Sequence, residues 1–224
     1  MIQTYKIFDT YAQNADPNRA AAMQSYMRNQ FDFWGITSPQ CAEISKEFLK
    51  NAKQEKKIDW DFIQSCWTHP KRELQYLAIS YLYVLQDHLT PQDLPKIKNL
   101  ITTKAWWDTI DGLHGRVGKI VQNYPEQKKT IIEWSQDDNF WVRRIAIDHQ
   151  LGFKDKTDTN LLELTITNNF GTKEFFINKA IGWSLREYSK TNPEFVKEFV
   201  QRYNNQMSPL SIREALKVIK RKGW

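Results

Sequence analysis

Three residue types in this sequence could do chemistry together: a carboxylate, Asp111; two guanidinium groups, Arg144 and Arg186; and the indoles Trp107, Trp141 and Trp183. They fall in segments that align when written beneath one another, with Trp107, Trp141 and Phe175 each opening a segment. At about 100° per residue, with the opening position at zero, Asp111 projects near 40°, Arg144 near 300°, Trp183 near 80° and Arg186 near 20°. All lie within an arc of about 140° on one side of stacked helices. Guanidinium groups on such a face suit phosphates, and indoles suit bases or cations. A carboxylate among them works against simple phosphate binding, because it repels the backbone of a nucleic acid. A local rule broken in this way points to catalysis.

The same projection separates neighbours. Trp106 falls near 260°, among the apolar positions, and is expected in the core, while Trp107 is expected on the functional face. Arg143 falls near 200°, outside the arc, which makes Arg144 the better candidate.

The elements that must position these residues form a repeat. Five segments, opening at Glu73, Trp107, Trp141, Phe175 and Leu210, carry a small residue at the sixth position: Ala78, Gly112, Ala146, Ala180 and Ala215. The spacings are 34, 34, 34 and 35 residues. A second column holds Ile79, Leu113, Ile147, Ile181 and Leu216. A third, four residues on, holds Tyr83, Val117, Leu151, Leu185 and, as an exception, Lys220. A small residue lets a neighbouring helix approach, and an apolar pair at i, i+4 faces inward. Each segment is therefore one helix of a repeating pair, in an all-α, HEAT-like α-α superhelix of about six helical pairs. The period matches that of tetratricopeptide repeats, but their residue pattern is absent. Residues 1–224 are expected to form a single domain, its concave groove on the Asp111 side.

Composition agrees. Gly and Pro number 8 each, which disfavours disorder and turn-dense β folds, and most prolines stand at or near expected helix starts, as in Asp16-Pro17 and Asn192-Pro193. The net charge of +6 suits a polyanionic partner without requiring one. Cys41 and Cys66 form no disulfide framework and no metal-binding CxxC, and no apolar run reaches a membrane span. The N-terminus lacks the apolar region of a signal peptide, so a cytoplasmic protein is expected. Gly112-LHGRVGK lacks the spacing of a phosphate loop, and Ile120 stands where Ser or Thr is needed. The histidines show no HExxH, so neither a metal nor a nucleotide cofactor is expected.

The strings WWDTIDGLHGRVGK, NFWVRRIAIDHQL and FFINKAIGWSLREYSKTNP, with YMRNQFDFWGITSP (Tyr26 to Pro39), resemble the AlkD-like DNA alkylation repair glycosylases. The similarity runs from about residue 16 to residue 215. It implies a helical superhelix with a basic concave DNA-binding groove that removes cationic alkylated purines, such as N3-methyladenine and N7-methylguanine, from duplex DNA. By the same resemblance Asp111 is the catalytic carboxylate, Trp107 and Trp183 are sugar-facing indoles, and Arg144 and Arg186 hold phosphates. Trp141 shares their projected face and is expected at the DNA. Tyr26 and Arg28 match the family's first-helix pattern and are expected to touch DNA. Thr37 stands where the family has a longer polar residue, a departure at one DNA contact. The base is expected to stay stacked during the reaction, and a groove fitted to one duplex implies a monomer.

Two other readings use the same residues differently. A non-catalytic DNA-binding protein predicts salt-sensitive duplex binding without base release, but leaves the Asp111, Trp107 and Trp183 group without a purpose. A helical scaffold for protein partners predicts binding without steep salt dependence.

Overall fold

The computed structural model describes residues 5–224. It is all-helical, with fourteen α-helices and no named strand among the described residues. The chain falls into two compact units, Met1–Leu89 and Thr90–Trp224.

The first unit contains α1 (Lys6–Gln13), α2 (Pro17–Tyr26), α3 (Ser38–Glu55), α4 (Trp60–Thr68) and α5 (Arg72–Val84). Helix α2 has Asp16 as its N-cap, accepting from the amides of Asn18 and Arg19, and Pro17 at its first position. It ends at Tyr26 because Arg28 and Asn29 take left-handed conformations, φ 54° and 56°. The segment that follows is irregular but tightly held. The buried carboxylate of Glu73 accepts from the amides of Trp34, Gly35 and Ile36 at 3.1, 2.9 and 3.2 Å. Beside it the fully buried Arg72 lies 3.7 Å from the centre of the Phe31 ring. Helices α3 and α4 both pack on α5.

The second unit contains α6 (Leu94–Thr102), α7 (Trp107–Asn123), α8 (Lys128–Trp134), α9 (Phe140–Asp148), α10 (Thr159–Thr167), α11 (Phe175–Tyr188), α12 (Pro193–Tyr203), α13 (Pro209–Ala215) and α14 (Lys217–Lys222). Here the repeat is visible as packing. Helix α7 lies on α9, α9 on α11, and α11 on α13; these are the four aligned segments that follow the first. A second row, α6, α8, α10 and α12, pairs with them, and α8 packs on α10. The small column does what its size allows: Ala146, Ala180 and Ala215 have no exposed surface. Two glycines allow still closer approach. A Cβ on Gly118 would stand 2.0 Å from the carbonyl oxygen of His149, and one on Gly182 would stand 2.5 Å from the Cβ of Glu214.

The apolar columns hold through α7 and α11; in α9 Ile147 is buried but Leu151 lies past the end of the helix and is partly exposed, and the pattern fails at both ends of the repeat. Leu113, Val117, Ile147, Ile181 and Leu185 are buried. Tyr83 instead is 56% exposed, because α5 buries Leu74, Ala78 and Leu82 and so presents a face turned by one residue. Lys220 is exposed because the last segment breaks at Leu216 into α13 and α14, and Val218 and Ile219 fill the core in its place. That break contributes one of the helices above the twelve expected. Cys41 and Cys66 are both free thiols.

Candidate active site

The site lies in the second unit, where α7, α9 and α11 stack. Helix α7 carries Trp107 at its first position and Asp111 one turn later, so both side chains share one face. Both are partly exposed. Arg144 comes from α9, whose start is fixed by Asn139 accepting from the amide of Trp141 at 2.9 Å. Trp183 comes from α11.

Arg144 and Asp111 form one unit. The guanidinium donates from Nη2 and Nε to Asp111 Oδ1, at 2.7 and 3.2 Å, and from Nη1 to the carbonyl of Phe176 at 2.7 Å. Both contacts to Asp111 fall on one oxygen; Oδ2 accepts no hydrogen bond among the described residues. The Arg144 side chain is 3% exposed and that of Asp111 28%. Burial pushes the Asp111 carboxyl above its ordinary value; Arg144 opposes the shift and Asp108 adds to it. The Trp183 ring centre lies 5.8 Å from the Arg144 guanidinium carbon, and the His114 ring meets Trp183 edge-on at 6.0 Å. Burial, reinforced by Arg116, Arg144 and His149, pulls His114 down to about 4, so its imidazole is neutral at physiological pH.

Arg144 therefore does not take the place expected of a phosphate ligand. It is buried, and its three nitrogens face protein oxygens; its geometry holds Asp111 from behind. Arg186 is also engaged, in an ion pair with Glu214, which Lys179 reaches from the other side at 2.9 Å. Arg143 turns away and donates to the carbonyls of Asp137 and Asp138, at 2.6 and 3.1 Å.

Trp141 is more buried than expected, and Trp106 less so. Trp141 is 5% exposed, packed against Phe176 with ring centres 4.7 Å apart and against Phe140 at 4.6 Å. It belongs to an aromatic cluster and presents little surface outward. Trp106 touches the same cluster at 5.4 Å from Phe176 but stays partly exposed. The cause is local: Trp106 is the N-cap of α7 with extended backbone, φ −157° and ψ 162°, so helical projection does not apply to it.

Tyr26, Arg28 and Thr37 all belong to the first unit. Tyr26 is 71% exposed and Arg28 is exposed. Thr37 caps α3 in a capping box with Gln40, its hydroxyl 2.8 Å from Gln40 Oε1.

Sequence reasoning missed Asp148 and His114. Asp148 follows Arg144 by four residues and stands 3.6 Å from its Nε. His114 follows Asp111 by three, again a spacing that places side chains together on a helix.

The profile of the family described as "DNA alkylation repair enzyme" matches residues 7–219, and the chain belongs to that family. The protein described as "Predicted DNA alkylation repair enzyme from Enterococcus faecalis" has a solved structure that matches with 36% identity and a TM-score of 0.82, over 91% of this chain and 95% of that one. The structure of smu.31 from Streptococcus mutans UA159 matches at 17% identity with a TM-score of 0.57, over 78% of this chain and 95% of that one, a likeness of fold alone. No curated protein matches the chain. Its role lies in the repair of alkylated DNA, and no helix among the described residues is long and apolar enough to cross a membrane.

Proposed function

We propose that the protein is a monofunctional DNA glycosylase that hydrolyses the N-glycosidic bond of cationic alkylated purines in duplex DNA, of the N3-methyladenine and N7-methylguanine type. The observation that carries this reading is the Asp111 carboxylate, held through Oδ1 by Arg144 and left with Oδ2 unengaged. Alkylation at N3 or N7 makes the purine a cation. When the C1′–N bond breaks, the electron pair leaves with the base and neutralises it, so no general acid is required. Positive charge develops on the deoxyribose, and a preorganised carboxylate stabilises it. A water held by Asp111 adds to C1′ and gives its proton to the Asp111 carboxylate, which passes it on to solvent. Trp107 and Trp183 pack against the sugar and stabilise the cation through their ring faces. Arg186 and the exposed Tyr26 and Arg28 contact the DNA backbone, and the protein acts as a monomer. Neutral lesions are poor substrates, because without a general acid a neutral base would have to leave as an anion.

The test is release of methylated purines from alkylated duplex DNA. Asp111→Asn keeps the shape and removes the charge. It is expected to lower single-turnover excision by about 100-fold or more while duplex binding persists. Excision at the wild-type rate by folded Asp111→Asn would refute the role of Asp111. Salt-sensitive duplex binding by the wild type with no base released would favour a non-catalytic DNA-binding protein.

A further inference from the structure

A catalytic carboxylate clamped by a guanidinium presents an electrostatic difficulty. An isolated Asp111–Arg144 pair is neutral, and a neutral pair is a weak partner for a developing sugar cation. Asp148 resolves it. This second carboxylate is on α9, one turn beyond Arg144, and is 1% exposed. Its Oδ2 stands 3.6 Å from Arg144 Nε, and its Oδ1 accepts from the hydroxyl of Ser184 on α11 at 2.9 Å. Arg144 thus faces one carboxylate at the open side of the site and another at the closed side.

We propose that Asp148 is a positioning residue that balances Arg144 from behind and leaves Asp111 with net negative charge toward the substrate. The inference rests on the glycosylase reading. With both carboxylates ionised the triad carries one negative charge; with Asp148 protonated it carries none. Burial pushes Asp148 up to about 6, with Arg144 opposing, Asp111 adding to the rise and the Ser184 hydrogen bond opposing it. The charged groups that act on it are Arg144 on its own helix and Asp111 on α7; Arg144 also acts on His114 of α7, and His149 is the next residue of the chain. Both histidines are held down to about 4 and stay neutral where Asp148 titrates.

The test measures single-turnover excision on alkylated duplex across pH, with 13Cγ titration of the aspartates in the free protein. Wild type is expected to lose activity as pH falls through about 6. In Asp148→Asn, excision at pH 7.5 is expected to fall about tenfold or more, with duplex affinity unchanged. The remaining activity should have its acid limb at lower pH, the Asp111 midpoint should move down, and the melting temperature should be no lower than wild type. Wild-type excision and an unmoved Asp111 midpoint in Asp148→Asn would overturn the proposal. If Asp148→Asn does not fold, Ser184→Ala decides: loss of its hydrogen bond should move the acid limb of the wild type upward, and an unmoved limb overturns the proposal. If wild type releases no base at all, the glycosylase reading fails, and the Asp111 midpoint alone decides the influence of Asp148.

Discussion

Arg144 is the residue through which the site is organised, and its geometry predicts the effect of replacing it. A lysine retains the charge but loses the planar fork that reaches Asp111 Oδ1 and the Phe176 carbonyl together. Arg144→Lys is expected to lower single-turnover excision by about 10- to 100-fold. Duplex affinity, measured by fluorescence titration, should change by less than about twofold, because the group is buried and only exposed cations release counterions. A large loss of affinity with little loss of rate would return Arg144 to the phosphate role the sequence suggested. At this scale helical projection brought Asp111, Arg144 and Trp183 together from sequence, because all three lie inside regular helices. It failed at Trp106, where the backbone is extended, and at Trp141, where the burying partner, Phe176, belongs to another helix. Asp148 was legible only as an i, i+4 partner of Arg144; its burial depends on α7 and α11.

Among the elements, α11 is the one whose placement matters most, since it supplies Trp183 and lies on α9 and α13. Gly182 sets its distance from α13: an added Cβ meets Glu214 Cβ at 2.5 Å and the Ser211 carbonyl at 3.0 Å. Gly182→Ala is therefore expected to destabilise the protein by about 1–3 kcal/mol, read from chemical denaturation. It should also weaken excision beyond what the loss of stability explains, because Trp183 is the next residue. The stacking of α7, α9, α11 and α13 was readable from the 34-residue period, since that column of small residues has no other use. The slipped face of α5 and the break at Leu216 were not, because each is fixed by the packing at an end of the repeat.

For the molecule as a whole, buried titratable groups set the response to acid. His114 and His149 are both held down to about 4 by burial, below the ordinary histidine value. An unfolded chain takes up these protons first, so stability is full above about pH 6.5 and is lost as pH falls toward 4. The loss is of order 3 kcal/mol for each histidine. Asp148 acts in the opposite sense, since its folded value of about 6 lies above that of an unfolded aspartate and protonation favours the native state. Denaturant midpoints measured from pH 7 to pH 4 should therefore fall, and should fall more steeply in Asp148→Asn than in wild type. A flat profile would contradict the burial of the two imidazoles.

Glu73 carries a further consequence for the first unit. Its carboxylate holds three successive amides, Trp34 to Ile36, in a segment with no helix of its own. Those amide protons can meet solvent deuterium only when the carboxylate lets go, and the carboxylate is anchored in the first turn of α5. Hydrogen exchange at Trp34, Gly35 and Ile36 should therefore be as slow as in the start of α5, so that an irregular loop and a helix open as one cooperative unit.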